Sequence, residues 1–422
     1  MEAVESALRV AVLAAGARAL EEVLRGVGCG RRLSPVVCGC GSEMRSRGVV
    51  SKRLLTILGE VAFARSRYEC PVCGASRYPG DEELGVLGTS RSPGLQRMMA
   101  RAGSRDTFKE GREDLRVYAG VRVSAKDVER VAEKTGAEME VWAEAERKVL
   151  LAAEEPSGSR PLSKTIPVLY VEYDGTGVPM VPAEVKGRKG KQADGSAKTR
   201  EAKLGCVFTQ TATDDEGRPV RDPESTSFVG AIETAEVFGE RIYAEAVRRG
   251  LNQAARVVVL GDGARWIRGL AELHFPQAIQ IIDLYHAKEH VADRCKLLWP
   301  GEDKEINRHR IRWWTDLEEG KVGKIVREAR QLVPSRKEIA EKVEAGVHYL
   351  EENQERMRYA DYREQGLFVG SGVVEAGCKT VIGKRLKQSG MEWTVKGANA
   401  IISLRCMSLS GRVEEYWESR CA

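Results

Sequence analysis

Ile166-Pro-Val-Leu-Tyr-Val-Glu-Tyr-Asp-Gly-Thr-Gly, residues 166–177, decides how this chain is read. Its apolar, β-branched and aromatic side chains predict a buried strand over 166–173, ended by an acid and a glycine turn. The pattern recurs twice. Arg256-Val-Val-Val-Leu-Gly-Asp-Gly carries a strand into Asp262, and Ala278-Ile-Gln-Ile-Ile-Asp carries another into Asp283. Three such strands predict an α/β domain whose acids gather at one sheet edge, where α/β sheets place ligands. A single aspartate after a strand is ordinarily a helix cap. Asp174 and Asp262 differ in that a glycine follows each, leaving room for a metal and a phosphate, while Thr176 or the turn itself can cap.

A further strand is expected over 203–211 and a long helix over 227–249. Residues 302–363 are charged and helical in pattern throughout, and helices close the chain at 370–387 and 395–409. The first of these two contains Phe368-Val-Gly-Ser-Gly-Val-Val-Glu-Ala-Gly-Cys-Lys, where Ser371 can cap a helix bearing Glu375. Lys379, Lys384, Arg385 and Lys387 follow it, placed for DNA phosphates; a solvated Glu–Lys pair is the plain alternative. Three acids from separate elements suit phosphodiester chemistry, in which two divalent cations about 3.5–4 Å apart stabilise the entering and leaving oxygens. Magnesium accepts such carboxylate oxygens and keeps positions open for substrate. Glu172, two positions before Asp174 and on the same strand face, competes for a metal role.

Upstream, residues 1–30 read as an amphipathic helix and 31–90 as a small module built on two cysteine pairs. Cys38-Gly-Cys40 and Cys70-Pro-Val-Cys73 enclose a 29-residue hairpin, and each pair is followed by glycine. Two turns presenting thiolates make a closed structural zinc site, a zinc-ribbon-like arrangement; Cys29 can stand in for a member of the shorter pair. Eight Lys/Arg against two Glu between Arg31 and Arg67 suggest that the module meets nucleic acid. Residues 91–155 turn helical, and a helix capped by Ser124 after a short turn is similar to a helix-turn-helix. Glu155-Pro-Ser-Gly-Ser-Arg-Pro-Leu-Ser is the linker before the α/β domain, which spans 164–410 with a helical insertion at about 300–365.

Bulk properties restrict the class. With 422 residues, 31% charged and 42% hydrophobic, the chain has the balance of a soluble globular protein of several domains. It has no apolar run of membrane-spanning length and no signal-peptide pattern, so a cytoplasmic protein without membrane contact is expected. Ten cysteines in so long a chain, four of them in tight pairs, point to metal rather than disulfides. The net charge of +5 says less than its distribution, which is clustered at 31–67, 186–203 and 379–396.

Taken in order, Asp174-Gly-Thr-Gly, Gly261-Asp-Gly-Ala, Asp283-Leu-Tyr-His and Gly370-Ser-Gly-Val-Val-Glu resemble the ISKra-type insertion-sequence transposases of prokaryotes, DDE transposases with a ribonuclease H-like core. The paired cysteines and the stretch Arg385-Leu-Lys-Gln-Ser-Gly-Met-Glu-Trp-Thr extend the likeness to about residues 30–410. The resemblance implies a mixed ribonuclease H-like sheet interrupted by an α-helical insertion between the second aspartate and the glutamate. It implies nicking at transposon ends and transfer of the freed 3′-hydroxyl into target DNA. Asp174 would bridge two magnesium or manganese ions, Asp262 would hold one and Glu375 the other. Asp283 and His286 match the family's Asp-x-x-His element and would contact substrate or brace the metal ligands. Expected partners are double-stranded DNA and further copies of the chain, in the nucleoid of a prokaryotic cytoplasm. Two other readings stay open here: a ribonuclease H-like nuclease, and a domesticated zinc-containing DNA-binding protein without catalysis.

Overall fold

The computed structural model describes residues 1–152, 165–190, 192–332, 334 and 336–420; the expected linker at 155–163 and Cys421 lie outside them. The chain divides into two compact units, residues 1–136 with 415–422, and residues 137–414.

In the first unit, the opening helix Glu2–Val27 precedes a hairpin of strands β1 (Arg45–Thr56) and β2 (Gly59–Glu69), to which β3 (Ser76–Arg77) adds a short third strand. Ala17 from the helix packs with Leu54, Val61 and Phe63 of the hairpin and with Val86. A second small core gathers Val36, Met44 and Tyr68 around Cys38 and Cys70. The helices Pro93–Arg105 and Phe108–Asp114 lead to the long helix Ala125–Ala152, which Ser124 caps through the Asp127 N–H at 3.0 Å. Gly103 lets two helices approach closely, since a Cβ there would lie 2.9 Å from that of Ala132.

The second unit is α/β. Its remaining strands are β4 (Ile166–Pro179), β5 (Thr199–Gln210), β6 (Ala212–Thr213), β7 (Pro219–Val220), β8 (Ser227–Ala231), β9 (Ala254–Gly261) and β10 (Ile279–Ile282). Five form a mixed sheet in the order β10-β9-β4-β5-β8; β6 and β7 pair separately. β4 runs antiparallel to β5 and parallel to β9, β5 antiparallel to β8, and β9 parallel to β10. Alternation along β4 sorts its side chains. Leu169, Val171 and Tyr173 pack against Phe238, Ile242, Ile267 and Leu270 of the helices Ala235–Arg248 and Arg265–His274. Each such burial contributes on the order of 1.5–3 kcal/mol. Tyr170, Glu172 and Asp174 occupy the opposite face.

Two local expectations need correcting. The segment 227–249 is a strand and then a helix: Ser227–Ala231 becomes the sheet edge beside β5, and the helix starts only after Thr234, whose hydroxyl caps the Val237 N–H. Likewise β4 does not stop at Tyr173 but pairs with β5 as far as Pro179. The glycines after Asp174 permit this, because a Cβ on Gly175 would sit 2.5 Å from Glu201 Oε1 and one on Gly177 3.0 Å from Thr199 Oγ1. That space is taken by neighbouring side chains rather than kept open for a phosphate.

Beyond β10, the helix Leu284–Leu298 leads into a helical block of Asp303–Glu318, Val322–Gln331, Lys337–Asn353 and Tyr359–Glu364. The helical run Gly372–Gly377, Cys378–Gly383 (a π-helical turn) and Lys384–Leu386 follows, and Val395–Leu409 lies along β8. Among the described residues, no helix is long and apolar enough to cross a membrane.

Candidate metal centres

The acids of the α/β unit come from four places. Asp174 lies on β4 two residues past Glu172, whose pairing with Leu260 is the last contact between β4 and β9. Asp262 follows β9 directly, Asp283 follows β10, and Glu375 sits in the helix Gly372–Gly377. Burial raises the Asp174 carboxyl above its ordinary range, and the charge of Asp262 raises it further. His286 is drawn up to about 9 by its hydrogen bond with Asp283, helped by the charges of Asp283 and Asp262, so it is a cation among these acids at neutral pH. The charges of Asp262 and His286 both act on Asp174, while Glu375 groups with Asp283 and His286, ligand atoms of that trio lying within 4.8 Å of one another; Asp174 and Asp262 stand outside that group.

Not every acid has oxygens to spare. Asp283 is fully buried and caps the helix Leu284–Leu298 through the His286 N–H at 2.7 Å. Its second oxygen accepts from the Ser371 N–H at 2.5 Å and the Ser371 hydroxyl at 2.9 Å. Burial pushes its carboxyl up, yet the hydrogen bond from the His286 ring, together with these backbone and hydroxyl contacts, outweighs burial and leaves it below the usual range. Asp262 braces its own turn, accepting from the Ala264 N–H at 2.8 Å, and Asp174 accepts from the Gly175 N–H at 2.6 Å; both do the local work expected of Thr176 or the turn. Each keeps a second carboxylate oxygen for another partner. A hydrogen bond with Asp174 comes from Cys378, one helical turn after Glu375.

Glu172 is fully buried. Its Oε2 accepts the Val374 N–H at 2.9 Å and lies 3.8 Å from Cys206 Sγ, while Oε1 has no partner. Burial, with the charges of Asp283 and Glu375, pushes its carboxyl up to about 8. Ser371, expected to cap the helix of Glu375, makes no side-chain cap; its hydroxyl turns to Asp283 and, at 3.5 Å, to Glu375. Sequence reasoning passed over this arrangement, because the two partners of the helix start lie 88 and 202 residues away along the chain.

The expected phosphate contacts divide. Lys379, Lys384 and Lys387 are exposed, and Lys387 reaches Thr176. Arg385 is fully buried, with its guanidinium 5.0 Å from the Trp393 ring and 3.6 Å from Met391 Sδ, and presents nothing to DNA. Its spacing from Val374, Cys378 and Val381 marks it as a residue of the apolar face. Of the other histidines, His290 stacks on Tyr349 at 4.2 Å and His309 on Trp299 at 3.8 Å.

In the first unit, the sulfurs of Cys38, Cys40, Cys70 and Cys73 all lie within 4.8 Å of one another, with Cys38–Cys73 and Cys40–Cys70 each at 3.5 Å. A tetrahedron with Zn–S bonds of about 2.3 Å has edges of about 3.8 Å, so the cluster fits a zinc ion. Hydrogen bonding from the Ser42 backbone lowers Cys40 to about 6, and those from Cys73 and Val72 lower Cys70. Cys29 stands outside the cluster and accepts from the Ser66 hydroxyl at 3.2 Å.

With this geometry in place, comparison with known proteins gives a family likeness. Residues 234–420 match the description of an uncharacterised protein family, UPF0236. A UPF0236 protein of Caldanaerobacter subterraneus subsp. tengcongensis is 23% identical over 372 residues, covering 85% of this chain and 68% of that one. A UPF0236 protein from the vanSb 3′ region of Streptococcus gallolyticus is 22% identical over 380 residues, covering 88% and 75%. Among solved structures, the Drosophila P element transposase strand transfer complex aligns over 81% of this chain and 85% of that one, at 10% identity and a TM-score of 0.25, which is too low to bear on the fold.

Proposed function

We propose that this chain is a DNA transposase of the DDE type, with Asp174, Asp262 and Glu375 as ligands of two divalent cations, magnesium or manganese. The observation that carries the reading is the placement of Asp174 on β4 and of Asp262 directly after the neighbouring β9 of one mixed sheet, with Cys378, one turn after Glu375, hydrogen-bonded to Asp174. A mixed sheet broken by a helical block between the second aspartate and the glutamate agrees with a ribonuclease H-like core. So does the motif order that resembles ISKra-type transposases.

Bound cations would supply Lewis acidity at the scissile phosphate and lower the pKa of the attacking water or 3′-hydroxyl. Asp174 and Asp262 would hold the cations, whose positive charge would offset the charge of Asp262 that raises the Asp174 carboxyl. His286, held by Asp283, offers a positive charge to a phosphate oxygen. Lys379 and Lys384 offer the backbone two further contacts. The cysteine cluster would hold a structural zinc that orders a basic module for reading transposon ends, in an enzyme working as a dimer or larger assembly.

The test uses the full chain, DNA carrying candidate ends, and magnesium or manganese. Wild-type protein should nick and join, and Asp174→Ala, Asp262→Ala and Glu375→Ala should lose both activities while still binding. Cation-dependent nicking without any joining would instead favour a nuclease. Binding without any cutting by the wild type would favour a DNA-binding protein.

A further inference from the structure

The helical run 372–386 begins without a cap of its own, yet its first amide groups are not left to solvent. Ser371 N–H and hydroxyl go to Asp283 Oδ2, and Val374 N–H goes to Glu172 Oε2. Both carboxylates are fully buried, one on the central strand β4 and one after β10. Just upstream, the Leu284 N–H donates to the Val369 carbonyl at 2.9 Å, tying the same loop to the start of the helix that Asp283 caps. Glu375 follows Val374 directly, and its own N–H closes the first turn on the Ser371 carbonyl at 3.1 Å. The position of Glu375 is thus set by two acids that are not themselves its neighbours in sequence.

We propose that Glu172 and Asp283 form a positioning clamp that fixes the Glu375 helix against the sheet, and that neither serves as a metal ligand. The proposal rests on the reading of Glu375 as a ligand. It gives Glu172, which otherwise competes with Asp174 for a metal, a different task.

The hydrogen-bond chemistry makes the two halves of the clamp respond oppositely to amide substitution. Glu172 uses one oxygen only, so a glutamine can place its carbonyl toward Val374 N–H and its NH2 where Oε1 has no partner. Asp283 uses both oxygens, each against an N–H donor, so an asparagine must turn its NH2 toward either His286 or Ser371. One of those hydrogen bonds is then replaced by two facing donors.

The experiment compares Glu172→Gln, Glu172→Ala, Asp283→Asn and wild type by two readouts. One is cation-dependent nicking across a magnesium titration; the other is amide hydrogen exchange over residues 369–377, which needs no activity. Glu172→Gln should match wild type in both. Glu172→Ala and Asp283→Asn should exchange faster in that segment, require more magnesium, and lose on the order of 100-fold in rate, as displaced ligands do. Rescue by glutamine separates the clamp from a ligand role, because a metal would lose its anionic oxygen in Glu172→Gln. The proposal is overturned if Glu172→Gln is as damaged as Glu172→Ala, or if Asp283→Asn behaves as wild type. If the wild type cuts no DNA, the transposase reading fails on its own, and the exchange pattern still decides the clamp.

Discussion

The Tyr349 hydroxyl donates to the Asp262 carbonyl oxygen at 3.0 Å, joining the helix Lys337–Asn353 to the turn that holds the second aspartate. Tyr349 lies close against this turn. A Cβ on Gly263 would fall 2.7 Å from its hydroxyl oxygen and 2.8 Å from Ile282 Cδ1, and the φ of Gly263 is +84°. The helical block is therefore more than a surface addition, since it sets the backbone on which Asp262 stands.

Removing this contact gives a graded pair of outcomes. Tyr349→Phe loses one hydrogen bond, about 1 kcal/mol, and keeps the ring that His290 stacks on. Gly263→Ala meets both the close contacts and the left-handed backbone, and should cost at least about 1–3 kcal/mol. Urea unfolding of the two variants checks the order; equal effects would show that the turn adapts freely.

Glycines in the Glu375 helix offer a second contrast. A Cβ on Gly377 would lie 2.6 Å from Phe228 Cε1 and 3.1 Å from Leu204 Cδ2, whereas Gly372 has nothing within 4 Å. Gly377→Ala should push the helix off β5 and β8 and destabilise by about 1–3 kcal/mol, as overpacking does. Gly372→Ala should be neutral or slightly stabilising. Thermal unfolding of both variants reads this directly, and a neutral Gly377→Ala would deny the close packing.

Much of this was legible in the sequence, and the omissions have physical causes. Apolar runs ending in acids announce β4, β9 and β10, because strands buried in an α/β sheet are rich in apolar residues. The edge strand Ser227–Ala231 was not, since five residues without alternation, running toward a helix, carry no period of their own. The charge of Arg385 points to DNA phosphates, although its spacing matches its apolar neighbours and the fold buries it. The roles of Glu172 and Asp283 depend on amides brought to them by the tertiary fold, which no local pattern encodes.

DNA binding should separate the basic residues of the same helix. Lys379→Ala and Lys384→Ala each remove an exposed charge, so each should weaken binding across sequences and reduce the salt slope of log K by about 1. Arg385→Ala should leave that slope unchanged and lower stability instead, because its stem and guanidinium pack beneath Trp393. Fluorescence anisotropy at several salt concentrations, alongside a melting curve, distinguishes the two. A slope change in Arg385→Ala without loss of stability would return it to the DNA surface.

Zinc binding to the first unit should be seen in the protons it releases. Hydrogen bonds from Ser42 lower Cys40 to about 6, and those from Cys73 and Val72 lower Cys70 as well, so these two favour the thiolate. Cys73 is different: its backbone contact with Ala75 lowers it, but the other three sulfurs raise it to about 12, so zinc must displace its proton. Titration of metal-free protein in two buffers of different ionisation enthalpy should therefore give more than zero but fewer than four protons per zinc. Affinity should fall with acidification, since below about pH 6 Cys40 must also be deprotonated by the metal. Elemental analysis should find one zinc per chain in wild type and in Cys29→Ser, which leaves the cluster whole, and none in Cys38→Ser with Cys73→Ser. Retention of zinc by that double variant would move the site elsewhere, and release of four protons would mean that the knuckle amides do not stabilise the thiolates.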